Sequence, residues 1–123
     1  MKICITSQGD NLDSQIDARF GRCGYFVFAD TESLEFEVVG NPNIDGSGGV
    51  GIKSAQYVAQ KDVKAVLTGN VGPNAFQVLQ AAGLDIITGV SGSVKEVIEK
   101  YKNGEFHPTQ GPSVGSKFGT NNN

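Results

Sequence analysis

The chain has 123 residues, a net charge of -3, 38% hydrophobic residues and 19% charged ones. That length suits one domain with its own core, and the acidic balance excludes sequence-independent nucleic-acid binding, which needs clustered Lys and Arg. No apolar run reaches the length of a membrane span and no basic-then-apolar leader opens the chain, so a cytoplasmic protein with no membrane partner is expected. Two cysteines and one histidine make neither a disulfide framework, nor a four-cysteine iron–sulfur site, nor a closed zinc site.

Residues 2–6 (KICIT) predict a short strand with Ile3 and Ile5 on one face and Cys4 on the other. Apolar residues on both faces imply cover on both sides, and Cys4 reads as a buried small hydrophobe. Residues 7–17 are polar and turn-rich. They lead into the connection FGRCG, followed by the apolar run 25–29 (YFVFA), a central strand. After a tight turn at 30–33, residues 34–39 (LEFEVV) alternate, with Leu34, Phe36 and Val38 on one face and Glu35 and Glu37 on the other. That suits an edge strand with one solvated face. A glycine-rich loop, 40–51, precedes a helix over about 52–60 whose buried stripe is Ile52, Ala55, Val58 and Ala59. Residues 64–68 form a buried strand. Pro73 opens the next helix, with Ala75, Phe76, Leu79 and Ala82 inward and Gly83 at its end. Residues 85–88 are the last strand. Ser93 and Glu96 form a capping box for a helix with Val94, Val97, Ile98 and Tyr101 inward, terminated by Gly104. From Glu105 there is no periodicity. Residues 1–106 are therefore expected to be the folded domain, and 107–123 a mobile tail.

The order is βββαβαβα, an α/β chain. Strands flanking a helix are parallel with a right-handed crossover, whereas the second strand must run antiparallel to the first. Following the directions, the loops 7–24, 41–51, 69–72 and 89–92 share one rim, where open α/β sheets bind ligands. Three helix amino-termini are expected there, with unpaired N–H groups and partial positive charge. With Arg19, Arg22 and Lys53, that rim should hold something anionic. Cys23, beside fixed positive charge, is biased toward thiolate, the form that ligates metals. The bland alternative is that the arginines are solvated and Cys23 packs.

Gly46, Gly48 and Gly51 match G-x-G-x-x-G, but no strand directly precedes them and no acid follows at the required distance. Ile52 stands where a P-loop needs lysine. The loop reads instead as backbone able to approach a ligand. There is no serine elbow. His107, the sole histidine, lies in the tail, which leaves from the opposite end of the sheet; about ten extended residues span roughly 33 Å and could reach the rim. Packing or solvation is the better reading for His107.

The segments DARFGRCGYF, NPNIDGSGGVGIKSA and TGNVGPNAFQVLQAAGLDI resemble, in order, the dinitrogenase iron–molybdenum cofactor biosynthesis family, which includes NifX-like proteins, the carboxyl-terminal domain of NifB and small stand-alone proteins of anaerobes. The resemblance covers about residues 1–106. It implies a ribonuclease-H-like, three-layer fold with sheet order 3-2-1-4-5, no nuclease activity, and binding or carriage of a preformed metal–sulfur cluster, iron–sulfur or molybdenum-containing. The FGRC segment maps onto Phe20, Gly21, Arg22 and Cys23, and TGxxGP onto Thr68, Gly69, Gly72 and Pro73. Many stand-alone relatives carry a His- or Met-rich segment in the glycine loop or tail; here the loop reads NIDGSGG and the chain ends GTNNN. The expected site is Arg19, Phe20, Gly21, Arg22, Cys23, Gly46, Gly48, Gly49, Lys53, Gly69, Asn70 and Gly72, with Cys23 as metal ligand. Expected partners are the cluster with its donor and acceptor proteins, and the expected state is a monomer or weak homodimer. The alternatives are a small-anion or nucleotide-binding enzyme on the same rim, and a ligand-free regulatory domain.

Overall fold

The computed structural model describes residues 1–43 and 49–112. Its elements are β1 (Lys2–Ser7), β2 (Tyr25–Asp30), β3 (Phe36–Gly40), α1 (Val50–Ala59), β4 (Ala65–Leu67), α2 (Pro73–Ala81), β5 (Asp85–Ile87) and α3 (Val94–Lys102). They build one five-stranded sheet in the order β3-β2-β1-β4-β5. β2 is antiparallel to both its neighbours, and β1, β4 and β5 are parallel.

Alternation along the strands divides the core in two. Cys4, Phe26, Phe28, Val66 and Ile86 point to the face covered by α1 and α2. Ile3, Ile5, Val27, Leu67 and Ile87 point to the other, covered by α3. Neither face of β1 could meet water without exposing a branched aliphatic or the Cys4 thiol, so the sheet must be the middle of three layers. Cys4 is fully buried as expected, and burial pushes its thiol pKa well up, with Cys23 nearby adding to the effect.

The starts of β3 and α1 differ from the sequence expectation. β3 begins at Phe36, because Leu34 adopts a left-handed backbone (φ 66°) in the turn out of β2. Asp30 builds that turn: its Oδ1 accepts from the amides of Glu32 and Ser33, and its carbonyl accepts from Leu34 N–H. Leu34 and Phe36 are consequently exposed. α1 begins at Val50, two residues early, with Gly49 as a left-handed N-cap (φ 68°). This start turns Ile52 to a half-buried position and buries Ser54 in its place.

The tail departs from expectation as well. β5 is an edge strand whose Ile87 carbonyl and Asp85 N–H point at the β4 side, to Thr68 and Lys64. Its outward groups are met by one residue: Thr109 N–H donates to the Ile86 carbonyl, and Thr88 N–H donates to Thr109 Oγ1 at 3.0 Å. Phe106 packs against the α3-side core. Residues 105–109 are thus held along the β5 edge, satisfying backbone groups that an edge otherwise leaves open. The remainder of the expected tail, 113–123, lies outside the described residues.

Candidate functional site

Residues 17–24 form a strap across the end of the sheet where β1 and β4 stop. Asn70 N–H donates to the Ala18 carbonyl at 2.8 Å, and Phe20 N–H returns a bond to the Asn70 carbonyl. Gly69 permits this approach: a Cβ there would lie 2.6 Å from Ala18 Cα. Gly21 does the same toward α1, since its Cβ would fall 3.1 Å from Gly51 Cα. Two backbone contacts therefore seat the strap between the starts of α1 and α2.

Asp17 fixes the strap electrostatically. Its buried carboxylate accepts from the Arg19 amide at 3.0 Å, from Arg19 Nε and Nη2 at 3.2 Å each, and from Gly24 N–H at 3.2 Å. The Arg19 guanidinium itself remains 60% exposed, held by a fork that leaves its outer edge toward solvent. Asn41 holds the strap from the other side: its Nδ2 donates to the carbonyls of Gly21 and Cys23, each at 3.0 Å. Ser54 Oγ donates to the same Gly21 carbonyl at 3.1 Å. Asp17, Asn41 and Ser54 were not among the residues expected from sequence. The only available signals were an acid two residues before an arginine and the turn-forming NPN, whose Asn41 Oδ1 accepts from Asn43 N–H.

Above the strap lies a cavity of about 360 Å³, open to solvent. One part of its wall is apolar, from Val50, Ile52, Pro73 and Ala75; the other is formed by Arg19, Arg22 and the backbone of Gly49, Gly51 and Gly72. The structure therefore brings Arg19, Phe20, Gly21, Arg22, Gly49, Asn70 and Gly72 together around one space. Gly69 sits just beneath, buried. Lys53 is exposed and is not part of the wall. Gly46 and Gly48 lie outside the described residues.

Two of the three helix amino-termini reach this cavity, which corrects the expectation of three. Neither α1, capped by Gly49, nor α2, capped by Gly72, receives a side-chain cap. First-turn amides have no acceptor within their own helix, so both ends offer N–H groups and partial positive charge to the space. The start of α3 is consumed instead. Ser93 Oγ takes Glu96 N–H, Glu96 takes Ser93 N–H, and the carbonyls of Ser14 and Leu12 take Val94 and Lys95 N–H. The 12–16 segment, wrapped on the α3 face, occupies that helix end.

Cys23 is the second correction. Its side chain is fully buried against the α1–α2 core, with Asn41 Nδ2 3.8 Å from its sulfur. Burial, and then the negative charge of Asp17, push its thiol pKa far up; its hydrogen bonds and Arg19 oppose this without prevailing. The expected thiolate bias is opposed in this fold, because burial of the sulfur, and then the charge of Asp17, outweigh the pull of Arg19. Among the described residues, no three His, Cys, Asp or Glu side chains gather to hold a metal ion. None of the described helices is long and apolar enough to cross a membrane.

The arrangement suits an anion of dispersed charge. Arg19 and Arg22 against Asp17 leave one net positive charge, supplemented by two helix ends, while the apolar wall favours a weakly hydrated surface over a bare phosphate.

Residues 1–104 match the family described as dinitrogenase iron-molybdenum cofactor. An uncharacterized protein of Methanocaldococcus jannaschii is 30% identical over 109 residues, covering 86% of this chain and 89% of the relative. Among solved structures, the apo form of the orange protein from Desulfovibrio gigas superposes with a TM-score of 0.87 at 36% identity, covering 90% of this chain and 94% of the other. A proposed NifB protein from Thermotoga gives 0.75 at 37% identity, covering 87% and 91%.

Proposed function

We propose, for a chain that belongs to the dinitrogenase iron-molybdenum cofactor family, that the cavity at the strap receives a preformed metal–sulfur cluster as cargo and holds it for transfer without catalysing a reaction. The observation that carries this reading is the convergence of two uncapped helix ends, Arg19 and Arg22 on one space with a partly apolar wall. A cluster that arrives assembled brings its own sulfide ligands and its own negative charge. Its carrier must supply charge compensation, N–H donors to sulfide and a surface that tolerates soft, weakly hydrated atoms. Those are the groups present. Holding through many weak contacts rather than thiolate bonds also leaves release possible without breaking a metal–protein bond.

Each side chain has a defined task in this scheme. Arg19, oriented by the Asp17 fork, presents its outer N–H groups; Arg22 supplies the second cation; the amides of the first turns of α1 and α2 contact sulfides; and Val50, Ile52 and Pro73 exclude water from the apolar side. Cys23 packs beneath as structure. Cluster donor and acceptor proteins complete the cycle.

Anaerobic reconstitution with iron, sulfide and molybdate, and separately with tetrathiomolybdate, tests the reading through the visible chromophore retained after gel filtration. The expected result is a chromophore that survives Cys23→Ser and is weakened at least tenfold by Arg19→Gln with Arg22→Gln, as loss of two charge-assisted contacts requires. Loss of the chromophore in Cys23→Ser with an intact fold would establish thiolate ligation instead. Tight nucleotide binding by the untreated protein would favour the enzyme reading.

A further inference from the structure

The two edges of the sheet end differently. At β5 the outward backbone groups are met by Thr109. At β3 they are not. Asp30 N–H donates to the Glu35 carbonyl and Asn41 N–H to the Gly24 carbonyl, each directly across the β2–β3 register. In an antiparallel ladder that phase turns the N–H and C=O of Glu35, Glu37, Val39 and Asn41 toward β2, and those of Phe36, Val38 and Gly40 outward. Among the described residues, none bonds these outward groups. The edge is apolar as well: Phe36 is 47% exposed, and Val38 is half-buried.

Such an edge complements itself in one register. When a second β3 lies antiparallel with Val38 against its twin, Phe36 falls opposite the copy's Gly40 and Glu37 opposite the copy's Val39. Every outward position then enters a hydrogen-bonded pair. No acid faces an acid, and Glu37 lies only diagonally from its twin, about 7–8 Å away. Gly40 leaves room for the ring, since a Cβ there would have no atom within 4 Å. A phenyl group opposite a bare glycine covers backbone that the glycine leaves exposed. Other registers fail. Moving the axis to Glu37 or Phe36 sets glutamate directly against glutamate. Moving it to Val39 or Gly40 sets Phe36 or Val38 against Pro42, which has no N–H to give.

We propose that a second copy of this chain pairs through β3 in the Val38-centred register, forming a two-fold dimer with one sheet continuous across both copies. Thr109 closes the β5 edge, so the contact does not propagate and the assembly stops at two. Five residues a side make a contact below the standard size, so the association is weak and concentration-dependent. The paired strands run in opposite directions, which points the two cavities to opposite poles. The pairing needs no cargo.

Sedimentation velocity on the cargo-free, full-length chain from about 10 µM to about 1 mM should show monomer passing into dimer. Phe36→Lys, at an exposed position, should raise the Kd at least about tenfold. Val38→Pro removes an N–H that makes no bond to β2 and should do the same, with circular dichroism confirming the fold. Association should tighten between about 0.05 M and 0.5 M salt, as the diagonal glutamates are screened. The register is read by cross-linking, the native Cys4 and Cys23 being buried. Under a mild oxidant Val38→Cys should form a covalent dimer at least about tenfold faster than Glu35→Cys, because paired Cα atoms at the axis lie about 5.5 Å apart. A monomer at about 1 mM, a dimer indifferent to Phe36→Lys and Val38→Pro, association that weakens with salt, or equal cross-linking rates would each overturn the proposal.

Discussion

Replacing Asp17 with alanine is the most direct way to ask whether the strap is held as described. The substitution removes four accepted hydrogen bonds at once. The two from Arg19 Nε and Nη2 count for little, about 0–1 kcal/mol, because the guanidinium is more than half exposed and water replaces the carboxylate. The two from backbone N–H groups of Arg19 and Gly24 count for more. Each loses a charged acceptor in a part-buried position, at about 1–3 kcal/mol apiece. Truncation to alanine should therefore cost about 4 kcal/mol, a fall in Tm of roughly 15 °C for a domain of this length. Urea denaturation monitored by circular dichroism provides the free energy, and the slope should stay unchanged if the loss is confined to the folded state. Asp17→Asn keeps one acceptor oxygen for the amides and should lose only about half as much. A Tm for Asp17→Ala within about 3 °C of the parent would refute the reasoning, since it would mean that the strap amides find other partners at no cost.

Gly69→Ala should cost about 1–3 kcal/mol and reduce cluster uptake together, because its Cβ would meet the Ala18 backbone at 2.6 Å and lift the strap; calorimetry with reconstitution checks both. Leu34→Gly should raise stability by up to about 1 kcal/mol, because the left-handed backbone strains leucine and its exposed side chain has little burial to lose; a lower urea midpoint would contradict this. The thiols of Cys4 and Cys23 have pKa values raised above that of an unfolded chain. Their contribution is complete below the ordinary thiol value near 8.5 and is lost as pH rises above it, because the unfolded chain releases its thiol protons first. Urea midpoints should thus fall between about pH 8.5 and 10 in the parent and fall less in a Cys4→Ala, Cys23→Ala double variant. Iodoacetamide at pH 8 should alkylate neither cysteine until urea unfolds the chain.

Local rules made much of the architecture legible. The alternation of Ile3 and Ile5 against Cys4 anticipated a sheet covered on both faces, and the Ser93–Glu96 capping box occurs as expected. Gly83 and Gly104 end their helices with positive φ. What was not legible depends on partners distant in sequence. The start of α3 is occupied by the Leu12 and Ser14 carbonyls, from a segment about 80 residues away in the chain. Arg19 and Arg22 suggest a thiolate at Cys23, but the fold buries the sulfur together with Asp17 and leaves the arginines exposed. α1 began early because glycine replaced the usual hydroxyl or carboxamide cap, removing the signal that marks a helix start. Thr109 carried no periodic signal at all; its importance comes from two outward-facing groups on β5.

The meeting of Gly21 with Gly51 has a mechanical consequence. With no side chain between the two backbones, there is nothing soft to absorb a displacement. Any outward push on the 17–24 segment would therefore be passed to the start of α1. Just past the far end of that helix, Lys61 lies over the rings of Phe28 and Tyr57, 5.6 Å and 5.2 Å from their centroids. A displacement at one pole would then alter the surface at the other.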